Sequence, residues 1–183
     1  MRGTIWWDFD GTLVSRPFMW SRAARRVIER ASIACDRLPG PLLEVLERDM
    51  PWHGPHRAHP ELSTPDLWWA RVFAIYEDGL SRCGWSHAAT PSSFDALRSE
   101  ILDPGSYSLF EDVVPALTAL RDEGWRQVIV SNHVPELTHI VAGLGIGEFF
   151  DDVITSGLSA TRNRMPRYSR RRCAARFQAR PSG

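Results

Sequence analysis

The stretch Thr4-Ile5-Trp6-Trp7-Asp8-Phe9-Asp10-Gly11-Thr12-Leu13-Val14 decides the fold of this chain. Its apolar run is too short for a helix and stops at two carboxylates, after which Gly11 and Thr12 favour a turn. The pattern predicts a buried strand that delivers Asp8 and Asp10 to its carboxyl end, the edge at which open α/β sheets bind ligands. The alternative is an Asp-rich turn that closes an ordinary edge strand.

A second α/β segment begins after Tyr107. Its predicted elements are a helix ending near Gly124, a strand from Trp125 to Val130, a helix from Pro135 to Leu144 and a strand from Asp152 to Thr155. Ser131 and Asn132 follow the first of these strands and precede a helix. A hydroxyl and exposed backbone N–H groups in that position are suited to bind phosphate oxygens.

The residues between the first strand and this segment are predicted to be helical. The expected helices run from about Trp20 to Ala34, from Pro41 to Arg48, from Thr64-Pro65 to about Cys83, and from Thr90-Pro91 to about Leu102. The third of these should bury an apolar stripe that includes Leu67, Trp68, Ala70, Val72, Phe73, Ile75 and Tyr76. The arginines on the outer face of the first helix are expected to be solvated.

The strand that ends in Asp8-Phe9-Asp10-Gly11-Thr12 resembles motif I of the haloacid dehalogenase (HAD) superfamily, and the strand that ends in Ser131 resembles motif II. The resemblance implies an α/β fold with a Rossmann-like parallel sheet and a helical cap inserted after the first strand. The implied HAD-like core is residues 1–14 and 103–159, and the implied cap is residues 15–102.

The same resemblance implies a reaction and the residues that carry it. In an intact relative, Asp8 attacks phosphorus and Asp10 handles the proton of the leaving group, so both are catalytic candidates. Ser131 and the N–H of Asn132 would hold the phosphate oxygens. The expected cofactor is Mg²⁺, with Asp8 and Asp10 as its candidate ligands, and the expected substrate is a small phosphorylated molecule.

The resemblance ends near residue 158, and motifs III and IV of the family are missing after it. The chain contains no lysine, although the family uses one in motif III, and no acidic residue follows Asp152. Residues 160–183 contain eight arginines and carry a net charge of +8, against −8 for the residues before them. We expect a truncated core with an aberrant or disordered tail, and a change of reading frame is one hypothesis for the origin of the tail. Loss of motifs III and IV would impair the activity that motifs I and II imply.

Composition limits the other possible functions. Three widely spaced cysteines indicate no disulfide framework, and no apolar run reaches the length of a membrane span. A cytoplasmic location is therefore expected, and no oligomeric state is predicted. One alternative to a phosphatase is a 2-haloacid dehalogenase, although the resemblance implies that dehalogenases of the family lack an acid at the position of Asp10. The other is a non-catalytic RNA or polyanion binder that uses the Arg-rich tail.

Three histidines, His53, His56 and His59, lie in a proline-rich segment between Asp49 and Thr64. Such side chains can bind zinc, but the prolines argue against the helical geometry that would bring them together. The segment is therefore interpreted as a surface loop rather than a metal site.

Overall fold

The structure is a computed structural model that describes residues 2–50, 62 and 64–156. The described residues form five β-strands and six α-helices. The strands are β1 (Thr4–Trp7), β2 (Val14–Ser15), β3 (Ser108–Leu109), β4 (Arg126–Ser131) and β5 (Asp152–Thr155). The helices are α1 (Met19–Arg30), α2 (Gly40–Arg48), α3 (Pro65–Arg82), α4 (Pro91–Leu102), α5 (Val113–Asp122) and α6 (Leu137–Gly143).

Three strands form a parallel sheet in the order β1-β4-β5. Trp7 pairs with Ile129, and Ser131 pairs with Thr155, so the carboxyl ends of the three strands meet at one edge of the sheet. The sheet and the helices that connect its strands confirm the predicted α/β class with a Rossmann-like parallel sheet. Within the described residues, β1 is an edge strand.

The sequence gives no signal for the small antiparallel sheet of β2 and β3. Val14 pairs with Leu109 and Ser15 pairs with Ser108, so the chain enters and leaves the segment of helices α1 to α4 at neighbouring positions. These four inserted helices lie between β2 and β3 in the chain. Their attachment at both ends fixes them next to the edge of the main sheet where Asp8 and Asp10 lie.

The predicted helix starts at Thr64 and Thr90 are confirmed. The Thr64 hydroxyl accepts a hydrogen bond from the N–H of Leu67 at 3.3 Å, and the Thr90 hydroxyl accepts one from the N–H of Ser93 at 3.2 Å. Each threonine precedes a proline at the first helical position. A capping hydroxyl satisfies an N–H that has no partner inside the helix, and proline has no N–H to satisfy there.

Two details of the predicted helices are wrong. The first helix ends at Arg30 rather than Ala34, because Ser32 adopts a left-handed conformation with φ of 55° that turns the chain. In α3, Leu67 and Ala70 are exposed. Because that helix is apolar around much of its circumference, the spacing of apolar residues alone does not identify its buried face. The buried face contains Trp69, which is not among the predicted residues.

Several sequence predictions concern residues outside the described part of the chain. They are the loop with His53, His56 and His59, and the Arg-rich residues 160–183. No described helix is both long enough and apolar enough to cross a membrane.

Helices α2 and α3 approach each other closely at Gly79. A Cβ atom at this position would lie 2.7 Å from side-chain carbons of Leu42 and Val45, and 3.3 Å from the backbone Cα of Leu42. Gly79 is therefore required by packing, since alanine would otherwise be the better residue inside a helix.

We predict that Gly79→Ala destabilises the chain, as measured by urea unfolding. Overpacking costs about 1–3 kcal/mol, whereas the better helix propensity of alanine returns roughly 1 kcal/mol. The control is Ser81→Ala on the exposed side of α3, which should change the free energy of unfolding by less than about 0.5 kcal/mol. A stabilising Gly79→Ala would contradict this account of the packing.

Candidate functional site

The candidate site begins where β1 ends and the chain turns. Phe9 is fully buried, and its carbonyl accepts hydrogen bonds from the N–H groups of Leu13 at 2.9 Å and Val14 at 3.2 Å. Gly11 has φ of +74°, a conformation that residues other than glycine rarely adopt. Phe9 thus anchors the turn in the core, while Asp8 and Asp10 on either side of it remain exposed.

The carboxylate of Asp8 is held through one of its two oxygens. Its Oδ1 accepts hydrogen bonds from the Ser131 hydroxyl at 3.0 Å and from the N–H of Phe9 at 2.8 Å. No described residue donates a hydrogen bond to Oδ2 of Asp8. The carboxylate is therefore oriented by β4 and by its own turn, and one oxygen stays available for another partner.

Ser131 and Asn132 lie at the predicted place. Ser131 is buried, and because its hydroxyl has one proton, the bond to Asp8 and a bond donated to a phosphate oxygen exclude each other. Asn132 is exposed and lines a small cleft together with Asp10. The structure therefore brings all four predicted site residues to one edge of the sheet, and their assigned roles remain predictions.

Asp10 has a perturbed carboxyl group. Burial and the neighbouring charge of Asp8 raise the pKa of Asp10 to about 6, and the positive charge of Arg16 opposes that rise. The Asp10 side chain still exposes 46% of its surface, so it can exchange a proton with a bound molecule or with water. A carboxyl group with a pKa near neutrality can serve as acid and as base within one reaction.

His133 contacts Asp10, although the sequence shows only that it lies near the pocket. Its Nε2 lies 3.7 Å from Oδ2 of Asp10 and 3.4 Å from the hydroxyl oxygen of Tyr107. That hydroxyl donates its proton to the carbonyl of Ile101 at 2.9 Å, so it can only accept from His133. The contacts therefore assign the proton of His133 to Nε2, facing Asp10 and Tyr107.

The imidazole of His133 is neutral in this environment. The residue is 3% exposed, and burial, with a contribution from the charge of Arg16, lowers the pKa of His133 to about 3. Its Nδ1 has no hydrogen-bond partner among the described residues. An unpaired Nδ1 is consistent with the proton on Nε2. With that tautomer the unpaired atom is an acceptor, and the only N–H group of the ring faces Asp10 and Tyr107.

Arg16 is a second member of the site that no sequence motif reveals. Its side chain is 1% exposed, and its guanidinium lies 4.4 Å from the centre of the Tyr107 ring. It donates to the carbonyls of Ile101, at 2.8 Å, and Glu100. Arg16 therefore fixes the end of α4 against the entry to the inserted helices and places a buried positive charge beneath Asp10.

Glu136 links the inserted helices to the sheet. Its carboxylate accepts hydrogen bonds from the indole N–H of Trp69 in α3, at 3.0 and 3.1 Å, and from Arg98 in α4, at 2.6 Å. Arg98 also lies over the Trp69 ring, at 5.4 Å from its centre. Glu136 follows the Ser131-Asn132-His133 turn, so these contacts hold the two helices above the candidate site.

The chemistry of the site fits a magnesium ion. Asp8 and Asp10 are exposed on either side of Phe9 in one turn, and both offer hard oxygen donors. The described residues contain no cluster of three or more acidic, histidine or cysteine side chains that could hold a metal. Mg²⁺ commonly binds through one or two carboxylates and keeps several water ligands, so a site made of the Asp8 carboxylate and the backbone carbonyl of Asp10 is compatible with it.

We predict that Asp10 titrates near pH 6 in the metal-free chain, as measured by carboxyl NMR. Asp8→Asn should lower the pKa of Asp10, because it removes a neighbouring negative charge. The value should stay above the ordinary 3.8, because burial is the larger cause. The folded chain binds this proton more tightly than the unfolded chain does. The contribution of Asp10 to the free energy of unfolding should therefore decrease as the pH rises from 3.8 to about 6.

The control for this titration is Asp122→Asn at the exposed end of α5, which should leave the pKa of Asp10 unchanged. An Asp10 carboxyl that titrates near its ordinary value in the metal-free wild type would contradict the described environment.

The chain matches a family model for haloacid dehalogenase-like hydrolases over residues 3–181, farther than the residues that carry the motif resemblance. The mouse (Mus musculus) haloacid dehalogenase-like hydrolase domain-containing protein 3 is 31% identical over 93 residues, which are 51% of this chain and 36% of the mouse protein. The chain thus spans about a third of that relative.

Solved structures show the same fold at low sequence identity. A HAD-hydrolase, YfnB, from Bacillus subtilis, bound to magnesium, is 17% identical, with a TM-score of 0.57 over 84% of this chain and 64% of that protein. A 2-haloacid dehalogenase from Pseudomonas syringae is 18% identical, with a TM-score of 0.52 over 86% of this chain and 65% of that protein. Because the family model covers nearly the whole sequence, the chain belongs to the haloacid dehalogenase-like hydrolases.

Proposed function

We propose that the chain carries the site of a Mg²⁺-dependent phosphatase that hydrolyses phosphate monoesters through an aspartyl-phosphate on Asp8. The observation that carries this proposal is the arrangement of the Asp8 carboxylate. Oδ1 is held by Ser131 and by the N–H of Phe9, whereas Oδ2 accepts no hydrogen bond from the described residues. An oriented carboxylate with one free oxygen is suited to nucleophilic attack.

In the first step, Oδ2 of Asp8 forms a bond to phosphorus while the bond from phosphorus to the ester oxygen breaks. Asp10 in its protonated form gives its proton to that departing oxygen, so the alcohol leaves as a neutral molecule. The raised pKa of Asp10 supports this role, because a substantial fraction of the group carries a proton near pH 6.

In the second step, water attacks the phosphorus atom of the aspartyl-phosphate. Asp10, now ionised, takes a proton from that water, and the bond between phosphorus and Asp8 breaks. Inorganic phosphate leaves and the Asp8 carboxylate is restored. The N–H of His133 faces Asp10 and would stabilise its ionised form, because it lies 3.7 Å from the carboxylate oxygen.

The carboxylate of Asp8 and the backbone carbonyl of Asp10 would hold Mg²⁺ at this edge of the sheet. When bound, the ion supplies positive charge that offsets the repulsion between the phosphate and the carboxylates. The N–H of Asn132, and the hydroxyl of Ser131 once it is released from Asp8, would bind phosphate oxygens. The predicted cytoplasmic location remains part of this proposal.

Asp10 favours this reaction over dehalogenation, the alternative within the family. An alkoxide leaving group needs a proton, whereas a halide ion leaves without one, so a positioned acid with a raised pKa serves ester cleavage. Halide release from a 2-haloacid would identify the alternative. The proposed RNA-binding role depends on residues 160–183, and salt-dependent RNA binding that disappears with their deletion would support it.

We predict Mg²⁺-dependent hydrolysis of a generic aryl phosphate by the purified chain. Asp8→Asn should reduce the rate to background, because the nucleophile is lost. Asp10→Asn should reduce kcat by about 10²–10⁴-fold, the usual contribution of general acid–base catalysis. The measurement is the initial rate of phosphate release with and without added Mg²⁺.

The matched control is Asp122→Asn, which removes one exposed carboxylate at the end of α5 that is not part of the site and should leave the rate unchanged. Equal Mg²⁺-dependent activity in the wild type and Asp8→Asn would refute the assigned nucleophile.

A further inference from the structure

Two adjoining clefts extend from Asp10 along the start of α1. The first contains Asp10 and Glu47, and the second contains three arginines, Arg22, Arg25 and Arg37. They share Pro17, Phe18, Ser21 and Leu43 as a common wall. We call the two clefts together the Phe18 groove; their volumes of about 590 and 500 Å³ lie within the range of small-molecule sites.

Phe18 presents an aromatic ring to this groove at a cost in backbone energy. It precedes α1 with φ of 61° and ψ of 27°, a left-handed conformation that is unusual for a bulky residue. Its side chain is nonetheless not used in the core, because the residue is 78% exposed. Backbone strain of this kind clusters at active sites and where proteins clamp ligands.

The groove differs in charge between its two ends. Asp10, Glu47 and the buried Arg16 line the end near Asp10, so both signs of charge occur there. The cleft with Arg22, Arg25 and Arg37 is lined by no acidic side chain. Arg25 donates to the backbone carbonyl of Asp36 at 2.9 Å and forms no ion pair with a described residue. Arg22 and Arg37 form no ion pair with any residue in the described ranges.

Arg30 and Arg71 likewise form no ion pair with a described residue, but other arginines of the inserted helices do. Arg48 pairs with Glu44 at 2.8 Å, and Arg82 pairs with Asp78 at 2.8 Å, each within its own helix. The three arginines of the groove come from two segments, α1 and the connection before α2. Arg22 and Arg25 are exposed, as predicted for the outer face of this helix, and they meet the exposed Arg37 in one cleft.

We propose that the Phe18 groove binds the leaving group of the substrate, which is the part that is released as the alcohol. The substrate class is a phosphate monoester with an apolar, preferably aromatic, body and a second anionic group at its far end. The body packs on Phe18 and Leu43, and the anion, a carboxylate or a second phosphate, binds Arg22, Arg25 and Arg37. This inference rests on the proposed phosphatase function, because it places the reacting phosphate at Asp8.

The test compares two phenylphosphonates that resist hydrolysis and carry the same para side chain. In one the side chain ends in a carboxylate, and in the other it ends in the neutral methyl ester. Calorimetry with the full chain and Mg²⁺ should show about ten-fold tighter binding of the acid, as expected for charge-assisted hydrogen bonds. A third analogue that ends in a second phosphonate distinguishes a carboxylate site from a site that prefers phosphate.

The double variant Arg22→Gln/Arg37→Gln should remove the preference for the acid. Phe18→Ala should weaken the binding of both ligands and leave the ratio of their affinities unchanged. The control Arg71→Gln removes an exposed arginine of α3 that lines neither cleft, so the preference should persist. Circular dichroism of each variant would verify that the helices remain folded.

Equal affinity for the acid and the ester, or no binding of either, would overturn the inference. A preference that survives in Arg22→Gln/Arg37→Gln would also overturn it. Hydrolysis of a simple aryl phosphate tests the phosphatase proposal separately, so the two failures can be told apart.

Discussion

The candidate site depends on the parallel pairing of β1 with β4. Trp7, the last residue of β1, lies opposite Ile129, and β4 continues two residues farther to Ser131, which brings the Ser131 hydroxyl to 3.0 Å from the Asp8 carboxylate. A shift of register would separate them, since neighbouring positions along a strand are more than 3 Å apart. The buried side chain of Gln127 secures this pairing, because it accepts from the Trp7 indole and donates to the carbonyl of Leu117.

A buried polar network connects this edge to the inserted helices. Arg16 stacks on Tyr107, Tyr107 contacts His133, and His133 faces Asp10, so a change in the position of α4 would reach the Asp10 carboxyl through packed side chains. On the other side of the turn, Glu136 binds Trp69 and Arg98. Polar groups in a low-dielectric interior interact strongly when they are paired, which favours a single arrangement of this region.

The sequence predicts the elements of the sheet well because local patterns determine them. The run of β-branched residues places β4, the strand Asp152–Thr155 has its predicted ends, and the helix caps at Thr64 and Thr90 form as expected. Contacts between distant segments are different. His133, Tyr107 and Arg16 belong to no motif, and only the folded chain brings them under Asp10. The exposure of Phe18 could not be predicted either, because a hydrophobic pattern assigns apolar residues to the core.

The central claim is that the oriented carboxylate of Asp8 is the nucleophile. Its most direct test is mass spectrometry of Asp10→Asn after incubation with Mg²⁺ and an aryl phosphate whose leaving group needs no proton. The first step can then proceed, whereas the loss of the base slows the second, so the aspartyl-phosphate should accumulate. The account predicts one phosphoryl group on the peptide that contains Asp8. Phosphate release without any phosphoryl group on that peptide, or with the group on another residue, would contradict it.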